Sequence, residues 1–108
     1  MPEIPNLKYI DDLAGNDLEF RTKLIHIIKE EFPAEKATYE QVKSGNKYVE
    51  IARIVHKLKH KISILGYEKG YDVALKFENS LKERTPQKTL QVKFDTLLND
   101  MDDFIANL

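Results

Sequence analysis

Apolar residues recur along this chain at spacings of three and four positions, which is the period of one face of an α-helix. No segment sustains the alternation of apolar and polar residues that is typical of a strand, so the pattern predicts helices only. A short first helix runs from Leu7 to Leu13 and ends near Gly15. Asn16 or Asp17 can cap the long helix that follows. Its apolar positions include Leu18, Leu24, Ile25, Ile28 and Phe32.

Pro33 lies inside this long amphipathic stretch. It either kinks a single helix or opens a new one at the first turn, where its missing amide hydrogen costs little. The stretch stops at Ser44 and Gly45, a pair that is typical of a helix end. Asn46 can cap a third helix. The apolar stripe of this third helix contains Tyr48, Ile51, Val55, Leu58, Ile62 and Leu65.

Two more helices complete the chain. Gly66 ends the third helix or marks a tight packing point, and a fourth helix covers residues 68–83. Thr85 and Pro86 open the last helix, as a cap followed by proline at the first helical position. Its stripe contains Leu90, Phe94, Leu97, Leu98, Met101, Phe104, Ile105 and Leu108. Four substantial amphipathic helices with short connections predict an all-α fold, an antiparallel four-helix bundle with a short additional N-terminal helix.

Length and composition predict one globular domain over residues 1–108. Apolar residues make up 42% and charged residues 32%, as in folded soluble proteins, and the absence of cysteine excludes disulfides and thiolate chemistry. No apolar run approaches the roughly 20 residues of a membrane span, and residues 1–6 lack a signal-peptide pattern. We therefore expect a cytoplasmic protein without membrane contact. The net charge of −1 argues against nucleic-acid binding.

Basic charge is concentrated in the third predicted helix, where residues 53–61 contain four lysine or arginine residues, two histidines and no acidic residue. This composition suits an anionic ligand or an acidic partner surface, and it is also that of a solvated helix face. Within the segment, His56 lies about 100° around the helix from the core position Val55, so its ring is predicted at or near the surface. The side chains on its side of the helix are Ala52, Lys59, His60 and Ser63.

Residues 52–66 resemble the signature of histidine-containing phosphotransfer (HPt) domains. That signature reads His-x-Leu-Lys-Gly and continues, after five further residues, to the glycine of a Leu-Gly pair. The matching residues here are His56, Leu58, Lys59, Leu65 and Gly66. The family usually places Leu-Glu or Leu-Gln on the next helix, and Glu78 stands there, 22 residues after the histidine, although Phe77 replaces the leucine. His60 departs from the signature, because it replaces the glycine that lets a receiver dock closely.

The resemblance implies a phosphoryl carrier in a two-component phosphorelay rather than a kinase. His56 would accept a phosphoryl group from the phosphoaspartate of a receiver domain and pass it to another receiver. Glu78 would accept a hydrogen bond from Nδ1–H of His56, leaving Nε2 as the nucleophile. Lys59, which we expect to be exposed, would stabilise the phosphoryl oxygens during transfer.

The implied partners are response-regulator receiver domains and a hybrid sensor kinase. The chain itself is expected to be a monomer. The chain itself would need no cofactor or metal, since the Mg²⁺ of such relays belongs to the acidic pocket of the receiver. The positions from which we expect contacts with the partner are Ala52, Lys57, His60 and Ser63.

A metal site is a competing interpretation of the same histidines. His56 and His60 have the i, i+4 spacing of two zinc ligands on one helix, and Glu78 or His26 could add further ligands. The glutamate that serves zincins as general base is missing, however, and the neighbouring lysines repel a cation.

Two further interpretations keep His56 as the central residue but change its role. The dimerisation region of a sensor kinase also carries a phosphoaccepting histidine on a helix, but it favours an acidic residue where Lys57 stands. An adaptor would use the same bundle to bind receivers or other signalling proteins without accepting phosphate. His60 keeps the adaptor interpretation open, because an imidazole beside His56 could obstruct docking.

Overall fold

The computed structural model describes residues 4–108, which form five α-helices joined by short turns. The helices are α1 Lys8–Ala14, α2 Leu18–Val42, α3 Tyr48–Ile64, α4 Glu68–Lys82 and α5 Lys88–Ala106. No strand occurs among these described residues, so the all-helical prediction is confirmed. None of their helices has both the length and the apolar character needed to span a bilayer. The expectation about a signal peptide partly concerns residues 1–3, which lie outside the described residues.

The core is one cluster of buried apolar side chains to which all five helices contribute. Helix α3 packs against α2 and α4, α5 packs against α4 and α2, and α1 packs against α2. The stripes predicted for α3 and α5 supply much of this core. Its fully buried members include Ile10, Phe32, Tyr39, Val55, Leu58, Ile62, Leu65, Ala74, Phe94, Leu98 and Met101.

Helix α2 is continuous through Pro33, so the chain forms one long helix there and not two. The carboxylate of Asp17 caps its start by accepting a hydrogen bond from the backbone N–H of Phe20 at 2.9 Å, as the sequence predicted. At the other end of the core, the hydroxyl of Tyr39 donates a 2.6 Å hydrogen bond to Asp95 of α5. This bond ties the C-terminal half of α2 to α5.

The starts of α3 and α5 differ from the predicted ones. Lys47, and not Asn46, is the cap residue of α3, because its carbonyl accepts the first backbone hydrogen bonds of the helix. Thr85 and Pro86 do not open α5, which begins only at Lys88. The reason is that the backbone N–H of Thr85 donates a 2.9 Å hydrogen bond to the carbonyl of Ser80 in α4, so Thr85 still belongs to the C-terminal cap of α4.

Gly66 serves both purposes considered from the sequence. Its φ of +68° ends α3 in the left-handed region, which glycine adopts without steric cost. A Cβ at this position would also lie 2.8 Å from the side chain of Asn6. The backbone N–H of Asn6 donates a hydrogen bond to the carbonyl of Leu65 at 2.7 Å. The segment before α1 is thus held against the C-terminal end of α3.

Lys61 joins α3 to α2. Its ammonium lies 2.9 Å from Glu31 and 3.2 Å from Glu35, and its side chain is largely buried. Burial lowers the pKa of Lys61, but the two carboxylates raise it by more, so the net pKa is above its ordinary value. Part of the basic charge seen in residues 53–61 is therefore neutralised inside the fold.

Candidate functional site

His56 lies on the exposed side of α3, with 49% of its side chain accessible. Its neighbours along this side stand three, four and seven positions away, because such residues share one face of a helix. They are Val49, Arg53, His60 and Ser63, all of which are exposed. The core positions of the same helix face the opposite direction. This placement agrees with the surface-edge position predicted for His56.

A buried carboxylate on the adjacent helix contacts His56. Glu78 of α4 is only 1% exposed, and its Oε2 lies 2.9 Å from Nδ1 of His56. An ionised carboxylate can only accept hydrogen bonds, so the ring hydrogen of neutral His56 must reside on Nδ1. The Nε2 atom then carries a lone pair and no hydrogen. Helix α4 thereby selects one tautomer of a histidine on α3.

Two lysines compensate the charge of Glu78. Lys59 Nζ lies 2.7 Å from Oε1, so the two charged groups form an ion pair. Lys82 Nζ approaches Oε2 at 3.1 Å from the solvent side. Burial raises the pKa of Glu78, but the contacts with Lys59, Lys82 and His56 lower it by more. The net pKa lies below the ordinary value, so this carboxyl is ionised at neutral pH.

The expectation that Lys59 is exposed is wrong. It is 7% exposed, because its position on α3 is rotated from His56 toward α4. Its ammonium lies 5.7 Å from the ring centroid of Tyr71, on α4, as well as against Glu78. Lys59 is therefore held between the two helices and does not point into solvent.

His60 contacts the other nitrogen of His56. The two Nε2 atoms lie 3.1 Å apart, the ring centroids lie 4.7 Å apart, and the ring planes are nearly perpendicular at 89°. Both side chains belong to the exposed face of α3. Each nitrogen of His56 consequently has one partner, Glu78 on the side of α4 and His60 on the side of the solvent.

An open depression of about 320 Å³ lies beside His56, between α3 and α4. Val49 and the largely buried Ala52, 4% exposed, form the apolar part of this depression. Its polar edge is formed by Arg53, His56, Glu78 and Lys82. Sequence reasoning did not single out Arg53 or Lys82 for this site. The helical spacing could have found both, because Arg53 stands three residues before His56 and Lys82 four residues after Glu78.

The remaining residues assigned to partner contacts divide between two faces. Ser63 is exposed on the face of His56, seven positions along α3. Lys57 is also exposed, but it borders a different depression, together with Thr38 and Val42 of α2. Of the predicted contact residues, Ala52, His60 and Ser63 thus share one side with His56, and Lys57 does not.

The residues considered for a metal site do not converge on one point. Glu78 contacts Nδ1 of His56 and His60 contacts Nε2, so the carboxylate and the second imidazole lie on different sides of the His56 ring. His26 is exposed on α2 and forms a 3.2 Å pair with Glu30 of the same helix. Among the described residues, no three or more His, Cys, Asp or Glu side chains form a group that could hold a metal ion.

Comparison with known proteins adds no relative to these observations. No family model, curated protein or solved structure matches the chain. A functional assignment therefore has to be argued from the geometry of His56 and of the groups that contact it.

Proposed function

We propose that the chain is a phosphoryl carrier of a two-component phosphorelay, with Nε2 of His56 as the acceptor atom. The observation that carries this proposal is the contact between Nδ1 of His56 and the buried carboxylate of Glu78. A phosphoryl carrier needs a neutral, reachable imidazole whose nucleophilic nitrogen bears no hydrogen. The 49% exposure of the His56 side chain and the contact of its Nδ1 with Glu78 support this role, as does the resemblance of residues 52–66 to HPt domains.

The transfer step balances without a metal or a base on this chain. The O–P bond of the receiver's phosphoaspartate breaks, its carboxylate leaves with the electron pair, and an N–P bond forms at Nε2 of His56. The hydrogen on Nδ1 stays in place, so the ring becomes a phosphoimidazolium. Glu78 offsets the positive charge that develops on this ring, which is electrostatic stabilisation by a group already in position. Mg²⁺ would be bound by the receiver.

Lys59 has a positioning role in this proposal. Its ammonium is engaged by Glu78 at 2.7 Å, so it keeps the carboxylate ionised and in place. Arg53 and Lys82 border the depression beside His56, and Arg53 forms no ion pair within the described part of the chain. These two cations are the groups best placed to meet phosphoryl oxygens during transfer.

The proposed partner is the acidic pocket of a receiver domain. Arg53 and Lys82 give the depression beside His56 a positive edge, and Arg84 lines an adjoining depression that also includes Arg53. Positive charge of this kind complements an acidic pocket and accelerates association with it. We further propose that the chain acts as a monomer in the cytoplasm, with a receiver or a hybrid sensor kinase as donor.

An antiparallel four-helix bundle is the architecture that we propose for α2–α5. The pairings α2 with α3, α3 with α4, α4 with α5 and α5 with α2 support a closed ring of four helices. The connections between consecutive helices are short, which favours antiparallel neighbours. In such a bundle, the His56 face of α3 lies on the outside, beside α4.

The experiment is incubation with a phosphorylated receiver, followed by mass spectrometry for an acid-labile phosphoryl group. We expect label on the wild-type chain and none on His56→Gln. His26→Gln is the matched control, because it removes another exposed histidine far along α2 and should remain labelled. Label that survives His56→Gln would show that another residue accepts the group. An unlabelled wild type, under conditions in which a known carrier is labelled, would reject the proposal.

An adaptor without phosphotransfer is the second candidate, and the contact between His60 and Nε2 of His56 favours it. An adaptor would bind receivers although its nucleophile is covered. Binding of a receiver without transfer of label, with His56→Gln binding as tightly as the wild type, would support the adaptor function.

A further inference from the structure

The contact between His56 and His60 places a hydrogen bond on the proposed nucleophile. Their Nε2 atoms lie 3.1 Å apart, so one of the two must donate and the other accept. The proposed function does not use this contact. It is also absent from the HPt signature, which has glycine where this chain has His60.

The direction of the hydrogen bond follows from Glu78. Its buried carboxylate, accompanied by Lys59 and Lys82, accepts from Nδ1 of His56. A neutral imidazole has one hydrogen only, so Nε2 of neutral His56 is an acceptor. His60 must then carry its hydrogen on Nε2 and donate it to the lone pair of His56.

We propose that His60 caps the phosphoacceptor, holding the lone pair of His56 Nε2 in a hydrogen bond until the His60 side chain rotates away. This inference rests on the proposed function, because it concerns the reactivity of the same nitrogen atom. Attack on phosphorus needs that lone pair, so each transfer must first break the contact between the two rings.

The surroundings of His60 permit such a rotation. Its side chain is exposed, and within the described part of the chain its only hydrogen-bond partner is His56. No ion pair among the described residues holds it in place, in contrast to the arrangement of Lys59. A docking receiver that covers this face of α3 would displace the imidazole of His60 and free Nε2. The cap thus restrains reactivity toward small donors and is released by the proper partner.

Two substitutions separate the hydrogen bond from simple shielding. His60→Ala removes both the N–H donor and the ring. His60→Phe keeps a ring of similar size and removes the donor. His26→Ala is the matched control, an exposed histidine on α2 whose partner is Glu30. Circular dichroism and thermal unfolding would check that all three variants fold as the wild type does.

Phosphoramidate is a suitable probe because it needs no receiver. Its N–P bond breaks, an N–P bond forms at His56 Nε2, and ammonia leaves; His56→Gln verifies the labelled position. We expect His60→Ala and His60→Phe to be labelled roughly two- to tenfold faster than the wild type, since a net hydrogen bond is lost from the ground state. His26→Ala should be labelled at the wild-type rate.

Several results would overturn the cap. Wild-type rates in both His60 variants would show that the hydrogen bond does not restrain Nε2. A faster rate in His60→Ala alone, with His60→Phe unchanged, would show shielding by the ring instead. Slower labelling in both would make His60 an assisting group.

Nitrogen-15 NMR of the unphosphorylated chain tests the same inference without any transfer. We expect the ring hydrogen on Nδ1 of His56 and on Nε2 of His60. Hydrogen on Nδ1 of His60 would refute the cap, whatever the labelling rates. Failure of the relay itself is recognised separately. If phosphoramidate and NMR behave as expected but no phosphorylated receiver labels the chain, the proposed function fails and the cap stands.

Discussion

Replacing Glu78 by glutamine tests how the site is built into the fold. The substitution keeps the shape and an acceptor oxygen for Nδ1 of His56, but it removes the charge that faces Lys59. Because Lys59 is 7% exposed, its ammonium would be left buried without a counter-charge. Removing one partner of a buried pair costs about 3 kcal/mol or more, whereas the exposed contact with Lys82 contributes little. We therefore expect a loss of about 3 kcal/mol in the free energy of unfolding.

Urea denaturation measures this loss. Combining Glu78→Gln with Lys59→Met shows whether the loss arises from the ion pair between Glu78 and Lys59. With both residues replaced, no buried charge lacks a partner, so the double variant should be less destabilised than the sum of the single variants. We expect a coupling energy of at least about 1 kcal/mol, within the range for residues in contact. Additive effects, or a loss below about 1 kcal/mol in Glu78→Gln, would refute the reasoning. Phosphoryl transfer should be slower in Glu78→Gln, because glutamine has no charge to offset the positive charge that develops on the His56 ring.

The stability difference between the wild type and Glu78→Gln should also depend on pH. Burial raises the pKa of Glu78, and its lysine and histidine contacts lower it by more, so the folded-state value lies below the ordinary 4.5. A carboxyl whose pKa is lowered by folding stabilises the folded protein at pH values above its unfolded-state pKa. This contribution is lost as the pH falls through the folded-state pKa. The difference should therefore be largest above pH 4.5 and narrow in more acidic solution. A difference that widens toward acid would contradict this sign.

Further substitutions test other parts of the structure. Tyr39→Phe removes a 2.6 Å hydrogen bond to Asp95 from a fully buried ring, and we expect urea denaturation to show a loss of about 1–2 kcal/mol. Gly66→Ala should lower the melting temperature and cost about 1–3 kcal/mol, because the backbone there has a φ of +68° and a Cβ would meet a side chain at 2.8 Å. Arg53→Ala should slow transfer from a phosphorylated receiver several-fold without changing stability. Lys57→Ala, its matched control outside the depression beside His56, should transfer at the wild-type rate; equal rates in both would remove Arg53 from the site.

Local pattern was sufficient for the helices and their buried stripes, because a helical period is visible wherever one face is apolar. The helix ends were harder to predict. Thr85 and Pro86 have the chemistry of a helix start, yet the backbone N–H of Thr85 is used by the end of α4. A residue in the turn between two helices can cap either the helix before it or the helix after it. Which one it caps depends on the path of the chain through the turn, and the sequence pattern does not specify that path.

Neighbours of His56 on its own helix could be found from spacing alone. Arg53 and His60 stand three and four positions away, and both lie beside it in the structure. The sequence could not, however, show that the ring of His60 touches Nε2. That contact depends on side-chain rotation, which spacing does not specify.

What the sequence by itself determined is the set of helices, their core faces and the surface-edge position of His56. These follow from residue spacing, since a helix has the same geometry wherever it forms. The tertiary structure decided what surrounds that histidine. The packing of α3 against α4 brings Glu78 to Nδ1 and buries Lys59, which the helical spacing had predicted to be exposed. Charge and burial at this site arise from two helices at once, so neither helix alone carries the information.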